Sequence, residues 1–425
     1  MAYQVKTTTS YGGRLKKALK GVVGGFIMFV AGTALLFWNE GRFVNRRAAI
    51  GEAERKCVSI DETEIKKVDP DLNGQVIHAS AFANTTNELT DAQFNVTTVA
   101  IALDRKVEYY QYEEHKKTET RDKIGGGEEK TETYTYKPAW VSKPVNSGEF
   151  HDPEYKGRNK VLTTIEPNTE YAETVTFGAY RLPRILVRQM KGDKPVAVEM
   201  SDEARQQWTQ KLGGAAASPA PATGADTNEN AVASAPAAGA ASLVHVEGNV
   251  VYFGKSFNSG DIGDVRVTLT KVEPADVSII AEVKGSTFVE YVAKNGGRVS
   301  SLEMGEKSAK EMFGNLYSMN TIMAWILRLV GTLLVIFGLT GIFGIVTQLL
   351  KVLPFLANIV GAGIGLVCGV LGFAWSLIII SLAWLVYRPL IGVPLLLVAI
   401  GLVYYLKKIA PKNKAQAAAK TSPAP

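Results

Sequence analysis

The residues whose side chains could carry out chemistry are few in this chain and lie far apart. Metal sites need closely spaced His, Cys or carboxylate ligands, as in HxxxH or CxxC motifs. Neither motif is present, and the four histidines are scattered at His78, His115, His151 and His245. We therefore predict that the chain holds no metal ion and no cofactor.

Proton transfer and nucleophilic attack also lack suitable residues. The paired acids Glu113/Glu114 and Glu128/Glu129 lie in a polar stretch where no apolar burial tunes them for catalysis. The glycines at 125–127 between them lack the Lys-Ser/Thr ending of a phosphate-binding loop, so they indicate a hairpin tip. No GxSxG motif is present. We therefore predict that the protein is not an enzyme and has no catalytic residues.

The elements that must hold these residues are dominated by long apolar segments. Of 425 residues, 46% are hydrophobic, and residues 321–406 contain only three charges, on Arg328, Lys351 and Arg388. A helix needs about 20 apolar residues to cross the hydrocarbon core of a bilayer. The sequence therefore predicts an integral membrane protein in a lipid bilayer, with four transmembrane helices at 21–38, 329–350, 360–386 and 389–406.

Three features set the boundaries of these helices. The first apolar segment ends at Trp38, where an interfacial aromatic precedes charged residues, as in an uncleaved anchor. Arg328 would be costly in hydrocarbon, so the second helix is expected to start after it, with residues 316–328 as an interfacial lead-in. Pro354 favours a break, so residues 352–358 are expected to be interfacial or re-entrant.

The net charge of +6 hides an uneven distribution. Residues 1–20 and 407–425 each carry five basic residues and no acid, whereas residues 21–320 carry a net charge of −7. Basic residues beside apolar segments mark the cytoplasmic side, so both tails are expected in the cytoplasm and residues 39–320 outside. A nucleic-acid interface would need a basic face on the folded domain, and we predict none.

Between the first and second helices the sequence predicts a large β-rich domain, so that the fold class is an α+β membrane protein. Segments such as QVIHASAFA and DVRVTLTKVE are rich in β-branched and aromatic residues and are bounded by Gly, Asn or Pro. Residues 213–242 are mostly Ala, Gly, Pro and Ser, which predicts a disordered linker. The linker divides the domain into parts at 39–212 and 243–315, and the two parts are expected to close one sheet together.

Contacts between helices are predicted at two places. Glu40 is expected to pair with Arg388 or Arg328 and so lock the first helix to the C-terminal helices, with ordinary interfacial anchoring as the alternative. Small residues every four positions form a helical stripe, which serves either internal packing or self-association. The candidate interface residues are Asn39, Glu40, Gly41, Arg42, Arg328, Gly361, Gly365, Gly369, Tyr387, Arg388 and Pro389.

Several segments, in the same order, resemble the transmembrane protein 43 (LUMA) family. They run from LFWNEGR and AAIGEAE, through VEYYQYEEH, ETYTYKPAW and GDVRV, to SAKEMF, WILRLVG and AWLVYRPL. The resemblance implies four transmembrane helices, cytoplasmic termini and a domain in the lumen of the endoplasmic reticulum and nuclear envelope, or in the bacterial periplasm. It also implies self-association and a role in organising membrane protein complexes, and it supplies no catalytic residue.

The Ala/Pro-rich linker departs from the family pattern, and together with the Ala/Lys/Pro tail it indicates a bacterial member in the inner membrane. We therefore expect a non-enzymatic membrane scaffold, with copies of itself and other membrane proteins as partners. The alternative is an extracytoplasmic ligand sensor, or an accessory subunit of an enzyme complex of lipid or envelope metabolism. A transporter would need ionisable residues within the helices, and Arg328 is the sole marginal candidate.

Overall fold

The structure is a computed structural model that describes residues 2–216, 243–350 and 354–390, and the single residues 393, 394 and 397. Three of its helices are long and apolar enough to cross a bilayer. Most of the predicted fourth transmembrane helix, at 389–406, and most of the predicted linker lie outside the described residues. The helices are α1 (Tyr11–Lys56), α2 (Arg184–Val187), α3 (Asp202–Ala216), α4 (Ala309–Leu350) and α5 (Pro354–Tyr387).

The β-strands form two larger sheets and two small hairpins. They are β1 (Tyr3–Thr9), β2 (Val58–Ser59), β3 (Val76–Asn84), β4 (Glu88–Asp91), β5 (Val96–Val99), β6 (Ala102–Asp122), β7 (Glu128–Val141), β8 (Asn168–Tyr171), β9 (Thr176–Phe177), β10 (Tyr180–Arg181), β11 (Lys194–Pro195), β12 (Val244–Glu247), β13 (Val250–Phe253), β14 (Val265–Val272), β15 (Ala275–Lys284), β16 (Thr287–Val289), β17 (Tyr291–Val292), β18 (Arg298–Val299) and β19 (Ser301–Met304). This mixture is the α+β class that the sequence predicts.

The long helices extend beyond the apolar segments that predict them. α1 has 46 residues and begins after Ser10, whose hydroxyl caps the helix by accepting a hydrogen bond from the backbone N–H of Gly13. α4 runs through both the predicted lead-in at 316–328 and the predicted span at 329–350 without a break. Both helices continue into the β-rich domain, where apolar side chains give their ends a surface to pack on.

α5 differs from its prediction at its N-terminal end. Residues 354–360 belong to one continuous helix with the predicted third span, so no separate interfacial or re-entrant segment occurs there. Pro354 is the first residue of this helix that the structure describes.

Glycines set the distance between α1 and α4. A Cβ atom on Gly25 would lie 2.7 Å from the carbonyl oxygen of Gly338, and one on Gly32 would lie 2.8 Å from that of Gly331. Gly341 also faces the backbone of Gly25. The two backbones therefore approach closely enough that side chains are excluded, which is the packing that small residues permit in membranes.

Segments from both parts of the domain contribute strands to the same two sheets. β6 from the first part pairs antiparallel with β14 from the second, in the order β1-β7-β6-β14-β13-β12. β3 pairs with β15 in the second sheet, in the order β19-β15-β16-β10-β9-β3-β2. The chain therefore builds one domain from segments on both sides of the predicted linker.

A cluster of buried side chains joins the helices to the second sheet. Ala49, Ile50 and Ala53 of α1 have no exposed surface, and they belong to one cluster with Met312 and Phe313 of α4. Strand residues such as Ile280 and Val299 complete this cluster. Burial of this apolar surface holds the domain against the C-terminal part of α1 and the N-terminal part of α4.

The N-terminal segment, predicted as a cytoplasmic tail, is a strand of the first sheet. β1 pairs antiparallel with β7 from Tyr3↔Tyr134 to Thr9↔Glu128. β6 and β7 form a long hairpin beyond the rest of the sheet, and β1 adds a third strand to it. We call β1, β7 and residues 109–122 of β6 the ribbon. Its tip, at 123–127, lies against the start of α1.

Replacing Gly338 by Ala is expected to lower the stability of the helix pair. The new Cβ would lie 2.5 Å from the backbone nitrogen of Phe29, so the helices must separate, at a cost of about 1–3 kcal/mol. Gly344→Ala is the matched control, because no atom of the described residues lies within 4 Å of its Cβ position. Thermal unfolding in mild detergent measures both, and equal melting temperatures would contradict the close approach.

Candidate functional site

A buried carboxylate ties the three long helices together at the domain end of the membrane region. Glu40 of α1 has no exposed surface. It accepts hydrogen bonds from Nε of Arg328 at 2.6 Å (Oε1) and from Nη2 of Arg328 at 2.9 Å (Oε2). Nε1 of Trp384 on α5 donates to Oε2 at 2.9 Å. One side chain on α1 therefore bonds to both α4 and α5.

The geometry of this ion pair explains how charged groups are tolerated there. The two parallel N–H···O bonds from Arg328 match the planar fork of a guanidinium to a carboxylate, which is the strong bidentate form. The Arg328 guanidinium also lies over the Trp325 ring, 4.9 Å from its centroid. Of the two predicted partners of Glu40, the structure selects Arg328, which is therefore more than an interfacial anchor.

Arg388, the other predicted partner of Glu40, lies against aromatic rings instead of pairing with this carboxylate. Its guanidinium carbon lies 4.7 Å from the centroid of the Phe43 ring and 5.5 Å from that of Trp384. Its Nη2 is buried and has no hydrogen-bond partner among the described residues. Arg388 therefore caps the cluster through aromatic faces, and the described residues leave one of its donors free.

The neighbours of Glu40 also contact the other helices. Nδ2 of Asn39 donates to the carbonyl oxygen of Ala324 at 3.0 Å. A Cβ atom on Gly41 would lie 2.7 Å from Cζ of Tyr387, so this position requires glycine. Residues 39 and 41 thus join the predicted interface between α1 and the C-terminal helices, as does Tyr387.

The remaining predicted residues are divided between this interface and the surface. Nη1 of Arg42 lies 3.5 Å from Oδ1 of Asn320, at the limit of a hydrogen bond, and Pro389 is exposed. In the predicted stripe on α5, a Cβ atom on Gly361 would lie 3.0 Å from Thr347 of α4. The Cβ positions of Gly365 and Gly369 have no atom within 4 Å among the described residues. The stripe therefore contributes to internal packing through its first residue alone.

A second charged cluster, at the opposite end of α1, was missed by the sequence analysis. Arg14 is 3% exposed, and its Nη2 lies 2.7 Å from Oδ1 of Asp122. Its Nε lies 3.3 Å from Oε2 of Glu128 and donates to Oε1 of Gln348 at 3.2 Å. Nη1 donates to the carbonyl oxygens of Gly126 and Gly127 at 3.1 and 3.0 Å. Arg14 therefore joins α1, the end of α4 and the tip of the ribbon.

No local signal marks Arg14 in the sequence, where it is one of five basic residues in the first 20. Its acidic partners lie more than 100 positions away, on either side of the glycines that indicate the hairpin tip. The acids and the glycines each predict a solvated turn. Only the return of β1 along β7 brings α1 to them.

The groups that could carry chemistry are separated in the fold. Nε2 of His78 lies 2.7 Å from the carbonyl oxygen of Lys307, whereas His151 stacks on the Tyr134 ring, with centroids 4.0 Å apart. Burial raises the pKa of the Cys57 thiol to about 11, so it stays protonated at neutral pH. In the residues that the structure describes, no group of three or more His, Cys, Asp or Glu could hold a metal ion.

Glu40→Gln is expected to destabilise the helix bundle by about 3–5 kcal/mol, because it leaves the partly buried Arg328 guanidinium without a counter-charge. The double variant Glu40→Leu/Arg328→Leu removes both charges and is expected to be more stable than Glu40→Gln. Thermal unfolding in mild detergent gives the comparison.

Glu62→Gln serves as the control, because its ion pair with Lys66 is exposed at 69% and 59% and is expected to contribute less than about 1 kcal/mol. If Glu40→Gln unfolds at the same temperature as Glu62→Gln, the Glu40 cluster does not hold the bundle together.

Comparison with known proteins confirms the resemblance seen in the sequence. The family profile described as Transmembrane protein 43 matches residues 109–389. The chain is 26% identical over 378 residues to the transmembrane protein 43 homolog of Drosophila melanogaster, with coverage of 88% of this chain and 90% of the relative. It is 26% identical over 400 residues to transmembrane protein 43 of Homo sapiens, with coverage of 91% and 90%. No solved structure matches the chain significantly. The chain therefore belongs to the transmembrane protein 43 family, and it is a membrane protein.

Proposed function

We propose that the protein is a non-enzymatic scaffold that self-associates in the membrane and organises other membrane proteins around itself. The observation that supports this proposal is the ribbon, which leads from the domain to the far end of α1. A ribbon that runs beside the membrane helices must be shielded from lipid by protein or water. Further copies of the chain would provide this shielding.

The position of the ribbon follows from its two ends. The domain packs on α1 from about residue 45 onward, since Nδ2 of Asn295 donates to the carbonyl oxygen of Asn45. The ribbon tip contacts Arg14, which lies about 46 Å away along the helix at 1.5 Å per residue. The apolar residues 21–38 lie between these two contacts. If they cross the bilayer, the ribbon passes through the level of the membrane as well.

The ribbon is unsuited to contact with lipid. Residues 115–121 of β6 are exposed, and both strands of the hairpin carry charged side chains, as in the pairs Lys116–Glu132 and Lys123–Glu129. The Asn159 side chain bonds the backbone N–H and C=O of Tyr112, and beyond that residue β6 pairs with β7 alone among the described strands, so its outer edge is open there. In hydrocarbon, every unpaired N–H or C=O group of this edge would cost several kcal/mol.

Self-association would keep the polar ribbon out of contact with lipid, because several copies would enclose their ribbons between them. The apolar surfaces of α1, α4 and α5 would then face lipid, while the charged ribbons would face one another across water. Because α1 and α4 continue into the domain, contacts between copies in the membrane would also fix the spacing of the domains. A fixed array of domains is what a scaffold needs to hold other proteins in place.

The same proposal assigns the two sides of the membrane. The basic residues near both ends of the chain support a cytoplasmic position for the start of α1 and a position outside for the domain, which would be the periplasm in a bacterial inner membrane. The ribbon tip would then reach the cytoplasmic face from a domain that lies on the other side.

Shortening the ribbon is expected to reduce the complex to a single chain. In this variant an Asn-Gly turn joins Glu114 directly to Tyr136, which are paired in the hairpin. The control, Lys117→Glu/Glu119→Lys, exchanges an exposed ion pair and keeps the ribbon's length and net charge. The measurement is the mass of each complex extracted in mild detergent, with co-purifying proteins identified by mass spectrometry.

The scaffold is supported by a large homo-oligomer of the intact chain and the control, carrying other membrane proteins, that is lost on shortening. A monomer of the intact chain that retains one small molecule would instead favour the ligand sensor. Oligomers of equal mass in all three chains would show that the ribbon is not the contact.

Cysteine labelling tests whether the ribbon passes the membrane. Ile124 at the tip is 93% exposed and Ile185 on the domain is 44% exposed, so Ile124→Cys and Ile185→Cys are each accessible to a charged, impermeant maleimide. The raised pKa of Cys57 and the burial of Cys368, which is 1% exposed, keep the background low. We expect the two new cysteines to react from opposite sides of sealed vesicles. Reaction from the same side would mean that α1 does not cross between them.

A further inference from the structure

A polar pocket and an apolar groove lie next to each other where α1 leaves the membrane region. The pocket has a volume of about 380 Å³, and its polar lining comes from Arg42, Asn45, Arg46 and Asn295. The groove has a volume of about 500 Å³ and is lined by apolar side chains such as Phe29. Trp38 and Tyr387 line both cavities, so the two form one continuous amphipathic surface.

The pocket is positively charged. Arg42 and Arg46 are four residues apart on α1, which places them on one face of the helix, and no carboxylate is among the described residues that line the pocket. Nε and Nη2 of Arg42 are buried without a hydrogen-bond partner in the described part of the chain. Arg46 donates to the carbonyl oxygen of Arg298, which leaves its charge uncompensated. An anion in this pocket would supply a counter-charge to both guanidinium groups.

The groove has the length and position of one lipid chain. Its residues on α1 run from Phe29 to Trp38, about 14 Å at 1.5 Å per residue. One leaflet contributes about half of the ~30 Å hydrocarbon core. Val30 is 48% exposed and Trp38 is 57% exposed, so the groove opens to the surroundings of the helices. A tryptophan and a tyrosine at its upper end are typical of the headgroup level.

We propose that this surface binds an anionic phospholipid of the leaflet next to the domain, with the phosphate at Arg42 and Arg46 and one acyl chain along the groove. Guanidinium groups favour phosphate because their planar donors match its oxygens, and basic pockets beside transmembrane helices bind lipid headgroups in this way. The lipid also fills space between α1 and α5, since Ile379 and Tyr387 of α5 line the groove.

The test uses the full chain in nanodiscs made either of phosphatidylglycerol or of phosphatidylcholine, followed by native mass spectrometry of the lipids that remain bound. We expect phosphatidylglycerol to be retained about tenfold more than phosphatidylcholine. In Arg42→Gln/Arg46→Gln this preference is expected to disappear, because both charges at the pocket are removed.

Two further variants separate the head and chain contributions. Ala34→Trp fills the groove without changing a charge, since Ala34 lines it, and is expected to lower retention of both lipids. Arg184→Gln/Arg188→Gln removes two arginines that lie over Tyr171 in the domain, and it is expected to leave retention unchanged. Each variant is first shown to unfold at the temperature of the unmodified chain.

Equal retention of the two lipids, or an unchanged preference in Arg42→Gln/Arg46→Gln, would overturn the proposal. If inorganic phosphate alone displaces the bound lipid, or if Ala34→Trp has no effect, the pocket is a simple anion site and the groove does not hold an acyl chain. These results do not depend on the oligomeric state, so they are distinguishable from a failure of the scaffold proposal.

Discussion

A carboxylate in an apolar helix bundle stays charged only if its partners replace the water it has lost, and Glu40 imposes this constraint on the whole membrane region. Its two oxygens are satisfied by Arg328 from α4 and by Trp384 from α5. Both partners must arrive at the same height on α1. The order and register of the three helices therefore depend on this one side chain, and Gly41 beside it lets Tyr387 approach the backbone.

At the other end of the bundle the buried charged group is a guanidinium, that of Arg14. Arg14 is buried between Asp122, Glu128 and the end of α4, so the apolar part of α1 has one ion-pair cluster on either side of it. Between the clusters, glycine contacts such as Gly25 with Gly338 bring the helices together without directional bonds. Polar contacts at the ends thus decide register, while close packing between them supplies contact area.

How much of this could be predicted varies with the range of the interaction. The sequence predicts the apolar segments, the β-rich domain and the Glu40 pairing with one of two arginines, because charge and hydrophobicity are properties of single segments. It does not predict Arg14 as a buried residue or β1 as a strand. Residues 3–9 are polar and lie next to a basic helix start, so they resemble a tail. Their strand forms only because β7 offers an edge more than 100 residues away in the chain.

The sequence by itself determined that this is a membrane protein with long apolar helices, since about 20 consecutive apolar residues need no tertiary context to prefer lipid. It also determined the family. Only the tertiary structure decided which arginine pairs with Glu40, which glycines face one another, and how the pocket at Arg42 meets the groove at Trp38. These depend on distances between helices that are remote in sequence, and a helical periodicity specifies a face but not the neighbour that covers it.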